Sequence, residues 1–403
     1  MSALKAVATI LLTSGLLVAG LAAGATPPSA PSAPSTLSAP SAPSTTRPAA
    51  AAAATSPAAR VPAGFSQRTV ARNLTRGTDM AFTPDGRLFI TLKSGVVRYR
   101  RTNGTMGTLL DFRQKVNDIG ERGMLGIAVD PRFATNHHLF LVYTHRATAD
   151  RPLQNVLVRV TVRDGRLAPG SERTLFRFNG VRATNHVGGS VQVGPGGKLY
   201  VSHGENARAE EAQSLDNLLG KIVRLNKDGT IPRDNPFFAR ATGRNRAIWV
   251  RGLRNPFKFA FDPGSSRGFV NDVGAQTWEE INRLAGGRNY GWPVHEGPES
   301  TPRFTPPVFA YQQGGTATTG CAITGGEFYR PAQRNFPSRF VGDYFFTDLC
   351  NGWIRHYDPA TDRARGFTTG LRSPVDLEVS RQGPLYVLVH GTPGRVVRIR
   401  FDG

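Results

Sequence analysis

One histidine stands out among the residues that could do chemistry. His186 lies in the sequence TNHVGG, directly after Asn185 and just before Gly188 and Gly189. The two glycines let a ligand approach the backbone closely, and histidine is the side chain best suited to accept a proton near neutral pH. The segment therefore indicates a ligand-facing base, with a hydrogen-bonded structural histidine as the alternative.

Two further segments place charged and amide groups at the entrance of strands. Arg254 and Asn255 come directly before Pro256 and an apolar strand. An arginine is a planar, permanently charged fork that suits carboxylate or quinone oxygens. Glu121 and Arg122 precede another apolar strand in the same way. Both pairs predict ligand-facing loops, although ion pairs that stabilise the fold would use the same residues.

Residues 271–297, NDVGAQTWEEINRLAGGRNYGWPVHEG, combine carboxylates with a glycine-rich loop. Calcium takes six to eight hard oxygen ligands, which carboxylates and backbone carbonyls supply. The segment therefore predicts calcium binding. The chain has no cluster of His and Cys at zinc-ligand spacing.

These segments must be positioned by a repeated β unit. Alternating apolar strands flank a turn rich in Pro, Asp or Gly in five stretches: 80–91, 126–144, 191–204, 259–274 and 377–391. A sixth unit at 340–358 has the same rhythm without the Asp-Pro turn. This recurrence predicts an all-β, six-bladed β-propeller, with a β-sandwich as the alternative. We expect residues 395–401 to pair with a strand at 65–74 and close the ring.

The N-terminal composition divides the chain into three parts. Residues 1–25 have one lysine, an apolar run and small residues, which predicts a secretory signal peptide and an extracellular protein; a membrane anchor is the alternative. Residues 26–62 are rich in Ala, Pro and Ser and predict a disordered tether. Residues 63–403 form the expected propeller, and the mature chain is expected to lack a membrane span.

The formal net charge of +21 favours polyanionic partners, such as anionic cell-wall polymers, or a polycarboxylate cofactor. The basic residues are spread along the chain, so specific nucleic-acid recognition is not expected. Two cysteines occur, Cys321 and Cys350. In an exported protein they are expected to form a disulfide, here between the fifth and sixth blades, with two buried thiols as the alternative.

Five motifs in order resemble the glucose/sorbosone dehydrogenase family over residues 65–403: GERGMLGIAVDP, NHVGGSVQVGPGGKLYVSHG, LLGKIVRLNKDGTIPRDNPF, GLRNPFKFAFDP and EEINRLAGGRNYGWP. The resemblance implies a six-bladed propeller that binds pyrroloquinoline quinone (PQQ). It also implies oxidation of the anomeric carbon of an aldose to a lactone, with the electrons passing on to an acceptor that the sequence does not identify.

The resemblance assigns a role to each candidate residue. His186 matches the base that removes the hydroxyl proton, and Arg254 with Asn255 lies on the quinone side. Glu121 stands where the family has a glutamine near the cofactor. The resemblance also implies one calcium on the carbonyls of Gly274 and Ala275, and a second on the Glu280 side chain and the Tyr290 carbonyl.

The chain departs from the family at the anchors for the cofactor carboxylates. A family lysine falls near Cys350, and two arginines fall near Ser373 and Val375. Arg355 and Arg372 are the nearby cations in the sequence that would have to replace them. The aromatic residue that stacks on the cofactor is not evident in QQGGTATTGCAITGGEFY.

Two other functions are compatible with the same sequence. One is a non-catalytic extracellular propeller that binds carbohydrate or protein. The other is a calcium-dependent lactonase, which would need Asn185, Asn255 and Glu121 to converge on one ion in the channel.

Overall fold

The structure is a computed structural model that describes residues 59–403. The expected signal peptide, and the expected tether up to residue 58, lie outside the described residues. Six antiparallel sheets make up the described part, and their first strands contact one another around a central axis. The predicted six-bladed β-propeller is confirmed. Within residues 59–403, no helix has the length and apolar character needed to cross a bilayer.

Each blade is a meander in which the strands follow one another from the axis outward. The first blade contains β2 Gly77–Phe82, β3 Leu88–Leu92, β4 Val96–Arg100 and β5 Met106–Asp111, and the second contains β6 Met124–Val129, β7 His138–His145, β8 Gln154–Arg163, β9 Arg166–Leu167 and β10 Arg173–Gly180. The third blade contains β11 Val191–Gly194, β12 Lys198–His203, β13 Lys221–Leu225 and β14 Ile248–Arg251, and the fourth contains β15 Pro256–Phe261, β16 Gly268–Asp272, β17 Trp278–Arg283 and β18 Phe309–Gln312. The fifth blade contains β19 Ile323–Phe328, β20 Tyr344–Asp348, β21 Ile354–Asp358 and β22 Arg363–Thr368. One short helix, α1 Phe133–Asn136, lies between β6 and β7.

The sixth blade joins both ends of the described chain. It contains β23 Pro374–Val379, β24 Leu385–Val389, β25 Arg395–Phe401 and, as its outer strand, β1 Phe65–Arg72. β1 and β25 are antiparallel, with Phe65 opposite Phe401, so the expected closure of the ring is confirmed.

Ordered contacts begin slightly before the expected end of the tether at residue 62. The backbone N–H of Arg60 donates to the Thr369 carbonyl at 2.8 Å, and Ala59 packs against the apolar cluster between the fifth and sixth blades.

The core consists of apolar layers between neighbouring blades. Alternating side chains of each sheet face the next sheet, as the period of two in the strands requires. Phe89 of β3 and Leu141 of β7, for example, are both fully buried in the layer between the first and second blades. Because every blade packs on two neighbours, the six first strands are held at fixed positions around the axis.

Five of the six predicted hairpins are the first two strands of a blade. The unit at 340–358 instead contains β20 and β21, the second and third strands of the fifth blade. The first strand of that blade, β19, escapes detection because its sequence ITGGEF does not alternate regularly. A Cβ on Gly326 would come within 1.9 Å of the Tyr344 hydroxyl, so this strand needs glycine for packing.

Cys321 and Cys350 form the expected disulfide. The first precedes β19 and the second follows β20, which are paired strands of the fifth blade. The expectation that the disulfide joins the fifth and sixth blades is therefore wrong, because the hairpin that carries both cysteines belongs to one sheet. The buried carboxylate of Asp348 accepts the backbone N–H groups of both cysteines, at 2.9 and 3.0 Å.

Candidate active site

A cavity of about 200 Å³ lies at the end of the channel where first strands begin and second strands end. Its lining comes from equivalent positions in several blades: Gly77, Thr78, Lys93, Gly120, Glu121, Leu125, Val187, Gly188, Asn255, Phe257, Lys258, Leu349, Val375 and His390. Most of this surface is apolar. A small number of polar groups on an apolar wall is the usual composition of a small-molecule site.

His186 lies beside this cavity, directly before the lining residues Val187 and Gly188. Its Nδ1 is hydrogen-bonded to a carboxylate oxygen of Glu205, a residue that is 2% exposed. The Nδ1 atom therefore carries the hydrogen and donates it to the carboxylate. The lone pair on Nε2 then faces the Asn185 amide nitrogen at 3.2 Å. This arrangement leaves Nε2 able to accept a proton.

The backbone at His186 is held in an unusual conformation. Its φ of 51° is rare for a residue with a side chain. Gly204 makes this possible, because a Cβ there would come within 2.3 Å of the His186 carbonyl oxygen. Backbone of this kind occurs where the surrounding structure imposes it, often at functional sites.

Glu121 connects three loops that precede first strands. Its Oε2 accepts the His186 backbone N–H at 2.8 Å and the Asn255 side-chain amide at 3.3 Å. The Asn255 oxygen in turn accepts the Gly188 N–H at 3.2 Å. Residues 121, 186 and 255, which the sequence analysis selected separately, thus form one network.

The local ion pair considered for Glu121 and Arg122 is not formed. The Arg122 guanidinium donates to the carbonyl oxygens of Arg182 and Ala183, at distances of 2.8 to 3.1 Å. Arg122 therefore fixes the loop that leads to His186 and does not compensate the charge of Glu121.

Arg254 does not line the central cavity. Its guanidinium donates to the Val273 carbonyl at 3.1 Å and lies over the Trp292 ring. It lines a second, smaller cavity together with Gly274, Glu280 and Tyr290, three of the four residues expected to bind calcium. The two expected calcium sites therefore meet at one cavity, and Ala275 borders it through its N–H, which donates to Glu296 at 2.6 Å.

This smaller cavity, hereafter the acidic pocket, is lined by three carboxylates. They belong to Asp272, Glu280 and Glu296. Burial raises the pKa of Asp272 well above its ordinary value, and the nearby Glu280 raises it further. Burial also raises the pKa of Glu280. Carboxylates buried together are destabilised by desolvation and by mutual repulsion, and a bound cation relieves both effects.

The acidic pocket fits a calcium ion in the chemistry of its donors. The carboxylate oxygens of Glu280 accept the Gly297 N–H at 2.7 Å and the Asn282 amide at 2.9 Å, so they have remaining lone pairs. Both oxygens of Asp272 are already bonded to backbone N–H groups of Arg254 and Asn255. A calcium ion would therefore be held by Glu280 and Glu296 with backbone carbonyls such as that of Tyr290.

The structure adds residues that the sequence analysis missed. Glu205 was not assigned a role, although it lies two residues beyond β12. Lys93 and His390 line the central cavity and follow β3 and β24 directly. Both occupy the position immediately after the second strand of a blade, so a comparison of equivalent positions in the hairpins would have found them.

The two arginines expected to replace the missing anchors for the cofactor carboxylates do not lie at the central cavity. Arg355 packs over the rings of Phe309 and Trp353, and Arg372 is exposed; neither lines the cavity. Leu349 and Val375 line it instead. The cavity fits an aromatic group that carries negative charge on one side, because apolar walls and the buried ammonium group of Lys93 meet there, with the Glu121 carboxylate elsewhere in the lining.

The sheets, the central cavity and the histidine beside it define a propeller with a small-molecule site on its axis. Residues 74–398 match the profile of the family described as glucose/sorbosone dehydrogenase. The chain belongs to this family of oxidoreductases.

Similar proteins agree with this assignment. The chain is 29% identical to aldose sugar dehydrogenase YliI of Escherichia coli (strain K12) over 358 residues, which cover 84% of the chain and 93% of the relative. It is 27% identical over 254 residues to quinoprotein glucose dehydrogenase B of Acinetobacter calcoaceticus, covering 57% of the chain and 52% of the relative. The crystal structure of soluble aldose sugar dehydrogenase from Escherichia coli, in the apo-form, matches with a TM-score of 0.74 and 27% identity, covering 84% of this chain and 99% of that one.

Proposed function

We propose that this protein is a secreted PQQ-dependent aldose dehydrogenase that oxidises the anomeric carbon of a sugar to a lactone. The observation that carries the proposal is the pair His186 and Glu205 beside the central cavity, which leaves Nε2 of the histidine unprotonated and bonded only to the Asn185 amide, a neutral donor that a substrate hydroxyl would have to replace. The names of the relatives support the substrate class and the quinone. Export is proposed from the composition of residues 1–25.

The residues of the chain would perform three tasks. His186 accepts the proton of the anomeric hydroxyl at Nε2, and the buried Glu205 carboxylate stabilises the imidazolium that results. Asn255 and Glu121 hold the loop that carries the histidine against the cavity. The apolar walls of Leu125, Phe257 and Val375 exclude water.

The cofactor would lie in the central cavity between these apolar walls. PQQ, when bound, supplies the two-electron acceptor for the hydride. The protein orients the cofactor and the substrate and provides the electrostatic environment of the site. Calcium bound in the acidic pocket would compensate the carboxylates beside Arg254. The net charge of +21 favours a cofactor that carries carboxylates.

Neither alternative function has an observation in its favour. A lactonase would need several ligands converging on one ion in the channel. Of the candidate ligands, Asn255 donates its amide N–H to Glu121 and Asn185 directs its amide nitrogen at His186, so these side chains do not turn three oxygens toward one ion. A non-catalytic binding propeller would not need the buried carboxylate behind His186.

The test is dye reduction by the purified full chain with PQQ, calcium and a panel of aldoses. We expect turnover with at least one aldose, and we expect His186→Asn to lower kcat by about 10² to 10⁴. The variant should still bind PQQ, because the histidine is not placed to hold it. Failure of the wild-type protein to bind PQQ at micromolar concentration would contradict the proposal.

A further inference from the structure

We propose that Lys93 binds a carboxylate of the cofactor and that Arg76 and His390 support it, so that the first and sixth blades carry the anchor missing at positions 350, 373 and 375. The proposal rests on the proposed function and names the residues of that site. The buried lysines of the protein differ in the partners of their ammonium groups.

Three lysines of the described chain are buried, and two of them have full sets of partners. Lys258 is paired with the carboxylates of Asp79 and Asp376. Lys221 donates to three backbone carbonyls, with the longest bond at 3.0 Å. Lys258 is thereby paired with opposite charges, and all three N–H groups of Lys221 have acceptors.

Lys93 is different. It is 7% exposed, lines the central cavity, and donates to a single protein acceptor, the carbonyl oxygen of Asp118. Within residues 59–403 it forms no ion pair. A buried ammonium group with one neutral acceptor is poorly compensated, since it has three N–H donors and has lost its water. An anion in the cavity would supply what is missing.

Two further basic groups, the guanidinium of Arg76 and the imidazole of His390, lie close to Lys93 and influence the pKa values in this part of the cavity. Burial lowers the pKa of Lys93, and the charge of Arg76 lowers it further. Burial also lowers the pKa of His390, and Lys93 and Arg76 add to this effect. The carboxylate of Asp118 raises the pKa of Lys93 and is bound to Arg76 at 2.6 Å, so the Arg76–Asp118 pair adds little net charge beside Lys93.

The other nearby carboxylate is directed elsewhere. The charge of Glu121 raises the pKa of Lys93 against the lowering by burial, but the Glu121 Oε2 accepts the His186 N–H and the Asn255 amide. Glu121 thus belongs to the histidine side of the cavity. This divides the site into a side that accepts a proton and a side that binds an anion.

The backbone holds Lys93, Arg76 and His390 together. The Lys93 N–H donates to the Arg76 carbonyl at 2.9 Å, and the Arg76 N–H donates to the Gly391 carbonyl at 2.9 Å, next to His390. A Cβ on Gly123 would come within 2.6 Å of both the Lys93 side chain and its carbonyl oxygen, so the next blade packs directly on this residue. The lysine is therefore placed by rigid elements of two blades, as precise recognition requires.

The experiment titrates the full chain with PQQ and with its trimethyl ester, which keeps the quinone but has no carboxylate charge. Binding is measured by calorimetry without sugar, so that turnover is not involved. We expect Lys93→Gln to bind PQQ about 10- to 100-fold more weakly, the loss of one charge-assisted hydrogen bond, and to bind the ester as the wild-type protein does. Lys115 is an exposed lysine that does not line the cavity, so Lys115→Gln is the matched control and should change neither affinity.

The outcomes separate this inference from the proposed function. If the wild-type protein binds PQQ and Lys93→Gln binds it equally well, or if the variant loses affinity for acid and ester alike, the inference is wrong and the function stands. If the wild-type protein does not bind PQQ, both are wrong. A thermal unfolding curve of Lys93→Gln like that of the wild-type protein shows that the comparison is made on folded protein.

Discussion

The imidazole of His186 donates through Nδ1 to the carboxylate of Glu205, which is buried and also accepts the backbone N–H of Arg208. A carboxylate fixed in this way selects one tautomer of the histidine and one orientation of its ring. The pair is formed between the loop before β11 and the loop after β12, which are neighbours because the two strands form a hairpin.

We expect Glu205→Gln to reduce kcat by about 10- to 100-fold, the value of one hydrogen bond to a charged group, and to change KM little. The glutamine amide can turn its N–H toward Nδ1, which would place the imidazole hydrogen on Nε2, where the proton must be accepted. Steady-state kinetics with the reconstituted enzyme measure the effect. Glu210→Gln in the same loop is exposed and should behave as wild type; a similar loss in both variants would contradict the assignment.

The acidic pocket predicts that calcium stabilises the protein. Calcium at 100 times its Kd should add about 2.7 kcal/mol to the free energy of unfolding, and EDTA should remove it. Glu280→Gln should abolish most of this increment, which differential scanning calorimetry at several calcium concentrations measures. The exposed Glu299 provides the matched control, Glu299→Gln. An unchanged calcium response in Glu280→Gln would place the ion elsewhere.

Replacing both cysteines by serine should lower the free energy of unfolding by about 3 to 4 kcal/mol, because the disulfide closes a loop with a sequence separation of 29. Urea unfolding of the Cys321→Ser, Cys350→Ser variant measures the loss. A reducing agent should destabilise the wild-type protein and leave the variant unchanged. Equal sensitivity of the two proteins to reduction would show that the disulfide does not form.

Two carboxyl groups at the other end of the channel predict a pH dependence of stability. Burial raises the pKa of Glu327 to about 8 and raises that of Glu378 as well. A raised carboxyl pKa means that the folded protein holds the proton more tightly than the unfolded chain. The resulting stabilisation is complete below the ordinary glutamate pKa and is lost as the pH rises toward 8. The charged groups that act on Glu327 and Glu378 are Lys258, Asp79, Asp262 and Asp376.

Glu327→Gln should therefore reduce the fall in the free energy of unfolding between pH 5 and pH 8. Urea unfolding at intervals across this range gives the slope for each protein. The exposed Glu210→Gln serves again as the control. A variant with the wild-type slope would show that Glu327 is ionised at neutral pH in the folded protein.

Much of this fold could be predicted from the sequence, because a β-hairpin shows alternating apolar and polar residues on both sides of a turn rich in Pro, Asp or Gly. β19 could not, since Gly326 is required by the Tyr344 hydroxyl of the next strand and Gly325 by the close backbone of Asp376 in the next blade, and neither contact is visible in the sequence. The same reason explains the misplaced disulfide. Without β19, the sequence places Cys321 outside the blade that contains the hairpin at 340–358, although β19 pairs with β20 in that blade.

The candidate site was predictable where residues precede first strands. His186, Glu121 and Asn255 all do so, and they meet in one network. Arg254 occupies such a position too, but its side chain turns to the Val273 carbonyl and the neighbouring pocket. The position of a residue in the repeat predicts where its backbone lies in the propeller. The orientation of a long side chain depends on its contacts with other segments, which the sequence does not show.

The pairing of β1 with β25 has a consequence for how the chain acquires its structure. Five blades consist of consecutive residues and can form in the order of synthesis. The sixth blade is complete only when residues 395–401, at the end of the chain, have been synthesised and can pair with residues 65–72. Until then β1 lacks its partner strand, and contacts so distant in sequence form slowly. An unfinished chain would therefore offer an open strand edge to other molecules, and a deletion of the last strand should cause aggregation more than local loosening.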